Sequence, residues 1–141
     1  VDENAVIEII CTRLMSLGCE IIQRRTTKEQ GIDIIARNSR SGHEFVVEAK
    51  GGTSARIGSA RHGRDYSASQ VFDRAAKGVF TCIRLRAENP NRSTQHVILA
   101  VPETDMFRRY LDPVLPQLIE AGIQVWFAPH QEQPRAKRAS P

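Results

Sequence analysis

Apolar residues recur at helical spacing near the start of the chain. Ala5, Val6, Ile9, Ile10, Leu14, Met15 and Leu17 predict a helix from about Asp2 to Leu17, and Gly18 supplies its left-handed stop. The pattern then shortens to strand length. Glu20 to Arg25 reads as one strand through Ile21 and Ile22, Ile32 to Arg37 as a second, and His43 to Lys50 as a third. The Asn, Ser and Gly residues between Asn38 and Gly42 carry turn chemistry, so the second and third strands form a hairpin. From Gly51 to Tyr66 no apolar period is visible, and the stretch reads as a mobile loop. Helical spacing returns after a cap at Ser67 or Ser69 and runs to about Glu88, with Val71, Ala75, Val79, Cys82 and Ile83 as the buried stripe. Asn89-Pro90-Asn91 ends it. Val97 to Val101 is a buried strand, Thr104 to Ala121 a helix interrupted by Pro113 and Pro116, and Ile123 to Ala128 a last strand that holds Trp126 and Phe127 in the core. This order predicts an α/β fold with a mixed sheet between helices, one domain over residues 1–128 and a basic, flexible tail over 129–141.

Composition narrows the class. The chain has 141 residues, 40% of them hydrophobic and 26% charged, which is enough to build a core without staples. Its longest apolar run is far shorter than the ~20 residues a bilayer helix needs, and its N-terminus lacks a signal pattern, so the expectation is a soluble, cytoplasmic protein with no membrane partner. Cys11, Cys19 and Cys82 are odd in number and sit among apolar residues, as buried reduced thiols do. His43, His62, His96 and His130 stand apart in sequence, without the spacing to cysteine that structural zinc requires. The net charge of +4 is concentrated in the middle of the chain. Between Ser54 and Arg92, eight basic residues face only Asp65, Asp73 and Glu88. A polyanionic partner suits that distribution, and so does a solvated basic face.

The candidate chemistry lies in the hairpin. Asp33 is the one acid within the apolar run Ile32-Asp33-Ile34-Ile35, and an ionised carboxylate there requires a cation or donors. In Phe45-Val46-Val47-Glu48-Ala49-Lys50 the period of two puts Glu48 and Lys50 on one face and Phe45, Val47 and Ala49 on the other. With the turn centred between Arg40 and Ser41, Asp33 falls directly opposite Glu48. Two carboxylates at cross-strand spacing repel each other but together can hold a divalent metal. Phosphodiester hydrolysis needs a nucleophilic water and neutralisation of charge on the phosphate and the leaving oxygen, and Mg²⁺ on Asp33 and Glu48 supplies these. The Ala49 carbonyl is a further oxygen ligand, and Lys50 can orient the water or offset phosphate charge. The alternative use of the same residues is a half-buried ion pair between Asp33 and Lys50.

Gly31-Ile32-Asp33 followed by Glu48-Ala49-Lys50 across a hairpin, with an acidic first helix before it, resembles the PD-(D/E)XK nuclease superfamily, which includes Holliday-junction resolvases and many restriction endonucleases. The resemblance spans roughly Asp2 to Val101. It implies a restriction endonuclease-like αβββαβ core, here extended by a C-terminal helix and strand, and Mg²⁺-dependent cleavage of DNA with Mn²⁺ able to substitute. It further implies Asp33 and Glu48 as metal ligands, Lys50 as the catalytic lysine, and Glu8 as the first-helix acid that helps at the metal. Ile32 stands where the motif's name has proline, and the chain follows the Gly-x-Asp version instead. Gln70 resembles a glutamine that several branches carry at the phosphate or the attacking water. The branch with Gln-x-x-x-Tyr is not matched, since Arg74 occupies the fourth position after Gln70.

Substrate contacts follow from position. Arg56, Arg61, His62 and Arg64 lie in the loop directly after the third strand, Arg24, Arg25 and Lys28 precede the second, and Arg74 lies on the following helix. Contacts to four to six phosphates would give a salt slope of about −4 to −5. The expected substrate is double-stranded or branched DNA, cut by a monomer or a homodimer. Two other readings remain at this level: a catalytically silent DNA-binding or scaffold module of the same fold, and a toxin-like or RNA-directed nuclease.

Overall fold

In a computed structural model, which describes residues 1–25, 31–53 and 65–129, the chain forms an α/β domain around a five-stranded mixed sheet. Helix α1 (Glu3–Ser16) is followed by strands β1 (Glu20–Arg24), β2 (Ile34–Arg37) and β3 (Glu44–Ala49). Helix α2 (Ala68–Glu88), strand β4 (Gln95–Pro102), the short helices α3 (Asp105–Leu111) and α4 (Leu115–Glu120), and strand β5 (Ile123–Ala128) complete it. The strands lie in sequence order, antiparallel from β1 to β3 and parallel from β3 to β5. No helix among the described residues is long and apolar enough to cross a membrane.

Local chemistry sets the boundaries. Asp2 caps α1 by accepting from the Ala5 amide at 2.9 Å, and Gly18 at φ 89° lets the chain leave the helix. Ser67 caps α2 in a reciprocal box with Gln70, whose Oε1 accepts from the Ser67 amide at 2.8 Å. Pro113 and Pro116 split the helix expected over Thr104 to Ala121 into α3, a turn of 3-10 helix over Asp112–Val114, and α4.

The sheet is buried on both faces. On one, Val6, Ile7, Ile10, Cys11 and Leu14 of α1 pack on Ile34, Ala36, Val47, Ala49, Ile98, Ala100 and Trp126. On the other, Val71, Ala75, Cys82 and Leu85 of α2, with Phe107, Leu111 and Leu118, pack on Val46, Val97, Leu99 and Val101. Two expected stripes shift. Met15 and Leu17 are more than half exposed, because the stripe of α1 that meets the sheet runs through Ile7, Ile10 and Leu14 instead. On α2 the buried positions are taken by Gly78 and Leu85, and Ile83 turns outward at 49% exposure. Gly78 has a packing reason: a Cβ there would stand 2.6 Å from Leu99 Cδ1 and 3.4 Å from Lys50 Cγ. The bare helix surface thus lets the sheet and the Lys50 stem approach α2 closely. Cys11, Cys19 and Cys82 are free and buried, as expected. The expected tail, apart from Pro129, lies outside the described residues.

Candidate functional site

The hairpin turn sets the site. Asn38 closes it, its amide donating to the His43 carbonyl at 2.9 Å and its Oδ1 accepting from the amides of Arg40 and Ser41. Ile34 then pairs with Val47, Ile35 with Val46, Ala36 with Phe45 and Arg37 with Glu44. One step further along the same register, Asp33 meets Glu48, as the sequence predicts. Ile34 and Val47 both point to α1, so period-two alternation puts Asp33, Glu48 and Lys50 on the α2 face.

Asp33 is the one buried charged residue among the described residues, at 8% exposure. Its Oδ2 accepts from the Ala49 amide at 2.8 Å, and its carboxyl lies beside that of Glu48. Lys50 Nζ stands 3.1 Å from Glu48 Oε2, both side chains nearly buried. The lysine therefore pairs with Glu48, and Asp33 is held by a backbone donor, which departs from a simple Asp33–Lys50 ion pair. Burial and the neighbouring Asp33 charge push the Glu48 pKa up to about 7 despite Lys50. Asp33 is also raised, by burial, with the Ala49 amide and Glu48 working against the shift. Beneath the acids, burial and then the Glu48 charge push the Cys82 thiol up to about 12, which keeps it an inert thiol.

The acid of the first helix is a different residue from the one expected. Glu8 is exposed on the outer side of α1, where its carbonyl accepts from Thr12 Oγ1 at 3.1 Å. The acid of α1 whose charge couples to Asp33, Lys50 and Arg74 is Glu3. Glu3 shares a helical stripe with Ile7, Ile10 and Leu14, so it faces the sheet, whereas Glu8 lies more than a quarter turn away. The Glu3 carboxyl is raised by burial and then by the Asp33 charge, while Lys50 and Arg74 pull it down. Gly51 brings the two elements together. It follows β3 directly, and a Cβ on it would lie 2.3 Å from the Glu3 nitrogen and 2.7 Å from the Asp2 carbonyl carbon. The next residue, Gly52, donates its amide to the Val1 carbonyl at 2.8 Å.

The other candidates separate. Arg74 is close enough to Glu3 to act on its charge, and it is anchored by Tyr66, with Nη2 at 3.4 Å from the phenol oxygen and the guanidinium 5.1 Å from the ring centre. Gln70 Oε1 is committed to the cap of α2. Arg25 pairs with Asp33 through its amide at 2.9 Å and so lies on the carboxylate side of the sheet. Arg24 pairs with Ile34 and points to the α1 face, away from Asp33 and Glu48. A bulge between Ile21 and Gln23 sets that orientation. Lys28, Arg56, Arg61, His62 and Arg64 lie outside the described residues. Two arginines of the basic middle are structural. Arg86 donates to the carbonyls of Gly122, Asn89 and Gln95, and Arg92 to that of Glu120.

Among the described residues no group of three or more His, Cys, Asp or Glu side chains converges as a ready-made metal cage. The donor set is instead two facing carboxylates with one backbone oxygen. The Lys50 amide donates to the Ala100 carbonyl on β4, and across a trans peptide the Ala49 carbonyl turns the opposite way, toward Asp33. Hard oxygen donors in that number suit Mg²⁺, which keeps several waters and takes one or two carboxylates. No family model, curated protein or solved structure matches the chain.

Proposed function

We propose that the chain is a Mg²⁺-dependent nuclease of restriction endonuclease-like architecture that hydrolyses phosphodiester bonds in DNA, double-stranded or branched. The observation that carries this reading is the cross-strand meeting of Asp33 and Glu48, both nearly buried, with Lys50 on the same face 3.1 Å from Glu48. Drawing three ionisable groups together largely out of solvent is often no better for stability than packing apolar ones there, so chemistry is the better account of them.

Asp33, Glu48 and the Ala49 carbonyl would hold the cation. When bound, it supplies Lewis acidity toward water and phosphate oxygen. The chain's own groups do the rest. The Ala49 amide fixes one Asp33 oxygen and leaves the other toward Glu48. The Lys50 ammonium, carried on a stem that packs against Gly78, would orient the attacking water and offset phosphate charge. Arg74, held by Tyr66, offers a planar donor pair to a flanking phosphate. Glu3 is a third acid at the rim, in the role the resemblance assigns to the first helix.

Glu3→Gln is expected to lower single-turnover cleavage by about 10–100-fold, the range typical of groups that support a metal site, and Glu8→Gln to change it by less than about twofold. Equal effects of the two substitutions would remove Glu3 from the site. The activity itself is tested by incubating the protein with duplex, four-way branched and single-stranded DNA and with RNA, under Mg²⁺ and under Mn²⁺. Cleavage of DNA that is lost in Asp33→Asn is expected. Salt-sensitive DNA binding without cleavage under either ion, or cleavage confined to RNA, would contradict the proposal.

A further inference from the structure

On the α1 face of the sheet, four side chains form a hydrogen-bonded chain that runs from the start of β3 across β4 to β5. Trp126 Nε1 donates to Gln124 Oε1 at 3.2 Å, the Gln124 amide nitrogen lies 3.4 Å from His96 Nδ1, and His96 Nε2 lies 2.8 Å from His43 Nδ1. His43 sits just before β3, His96 on β4, and Gln124 and Trp126 on β5. Phe45 stacks on His96 with ring centres 4.7 Å apart.

The indole fixes the polarity of this chain. An indole N–H can only donate, so the Gln124 oxygen faces Trp126 and its NH₂ faces His96. A neutral imidazole donates at one nitrogen and accepts at the other. His96 therefore accepts at Nδ1, carries its proton on Nε2 and donates to His43 Nδ1, and His43 keeps its own proton on Nε2. Both inward lone pairs are filled by N–H donors. A two-imidazole metal centre would need the His96 Nε2 proton removed and the Gln124 amide reversed against Trp126, which the same polarity opposes.

We propose that this directed chain is an acid-sensitive latch, tying the start of β3 to β4 and β5 while His96 is neutral and releasing when His96 takes a second proton. The His96 nitrogen left to take a proton is Nδ1, which already faces the Gln124 N–H, so its protonation breaks that link. Among the described residues, the charged and titratable groups that act on His96 are His43 from the hairpin and Arg86 from α2, while Arg13 of α1 lies over Trp126 at 3.9 Å. No carboxylate is among the groups that shift His96. Burial, then His43 and Arg86, hold its pKa below the ordinary imidazole value. A histidine whose pKa is lowered on folding contributes stability that is present above the unfolded pKa and lost as pH falls below it. The latch is independent of the nuclease reading, although the strand it pins carries Glu48 and Lys50 at its far end.

The test is ¹⁵N NMR of the imidazoles across pH, on the wild type, Gln124→Leu and His43→Asn. In the wild type both rings are expected as Nε2–H tautomers, with His96 taking up a proton at lower pH than a free imidazole. Gln124→Leu frees His96 Nδ1 and is expected to mix its tautomers and move its protonation to higher pH. His43→Asn, whose side-chain oxygen can still accept from His96 Nε2, is expected to preserve the Nε2–H form. A His96 proton on Nδ1, protonation of His96 as a free imidazole, or no response to Gln124→Leu would overturn the latch.

Discussion

Glu48→Gln is expected to abolish cleavage and stabilise the metal-free protein at the same time. Loss of a carboxylate from the cation site lowers the cleavage rate by about a thousandfold or more, since the acid acts as part of a unit. The stabilising half follows from the pKa of about 7 that burial and Asp33 impose on Glu48. Such an acid imposes no penalty on folding below the unfolded value near 4.5, and stability is lost as pH rises through about 7, where the folded chain is forced to ionise it. A neutral glutamine removes that loss, and its amide can donate to Asp33 while its oxygen accepts from Lys50. At about pH 8 the gain is on the order of 2 kcal/mol, discounted for the interaction with Asp33, or a melting temperature higher by about 4 °C or more. Wild-type stability should decline from pH 5 to pH 8 once the histidine contribution is subtracted, and the decline should be smaller in Glu48→Gln, where only the raised Asp33 and Glu3 remain to cause it. Thermal melts of both proteins across that interval, without metal, check it. A glutamine variant that is inactive and less stable would mean that the carboxylate serves structure.

The second large effect is expected at Gly51. A methyl there would stand 2.3 Å from the Glu3 nitrogen and 2.9 Å from its Cα, and both are backbone atoms that cannot rotate away. Gly51→Ala must push the first turn of α1 off the end of β3, at a cost of about 3 kcal/mol or more. Gly52→Ala meets Pro102 Cγ at 3.3 Å, a side-chain contact that can relax, and is expected to cost less than about 1 kcal/mol. Denaturant unfolding of the pair measures the difference. Because the displaced turn carries Glu3, the Gly51 variant should also lose cleavage at temperatures where it remains folded. Equal stability of the two variants would show that α1 is not seated on Gly51 in this way.

The hairpin was legible because its information is local. Asn38 and Gly42 mark the turn, and alternation then fixes which residues oppose each other, so the Asp33–Glu48 pairing followed from counting. The acid of α1 was also present in the pattern, since Glu3, Ile7, Ile10 and Leu14 fall at helical spacing, but the choice of Glu8 rested on resemblance and not on which face is buried. Arg24 depends on a bulge at Ile22 that leaves no mark in residue type. Parallel pairing hides most completely. Phe45 and His96 become neighbours only after α2 crosses the sheet, so the contact between His43 and His96 could not be read from two histidines that looked isolated. The basic middle of the chain resolves the same way, because the carbonyls that occupy Arg86 and Arg92 come from distant turns.

The most direct measurement is calorimetric titration of Mn²⁺ into the metal-free protein and into Asp33→Asn. One saturable ion per chain in the wild type, with binding lost in the variant, is the predicted result. Undiminished binding by Asp33→Asn, or none by the wild type, would contradict a cation held between β2 and β3.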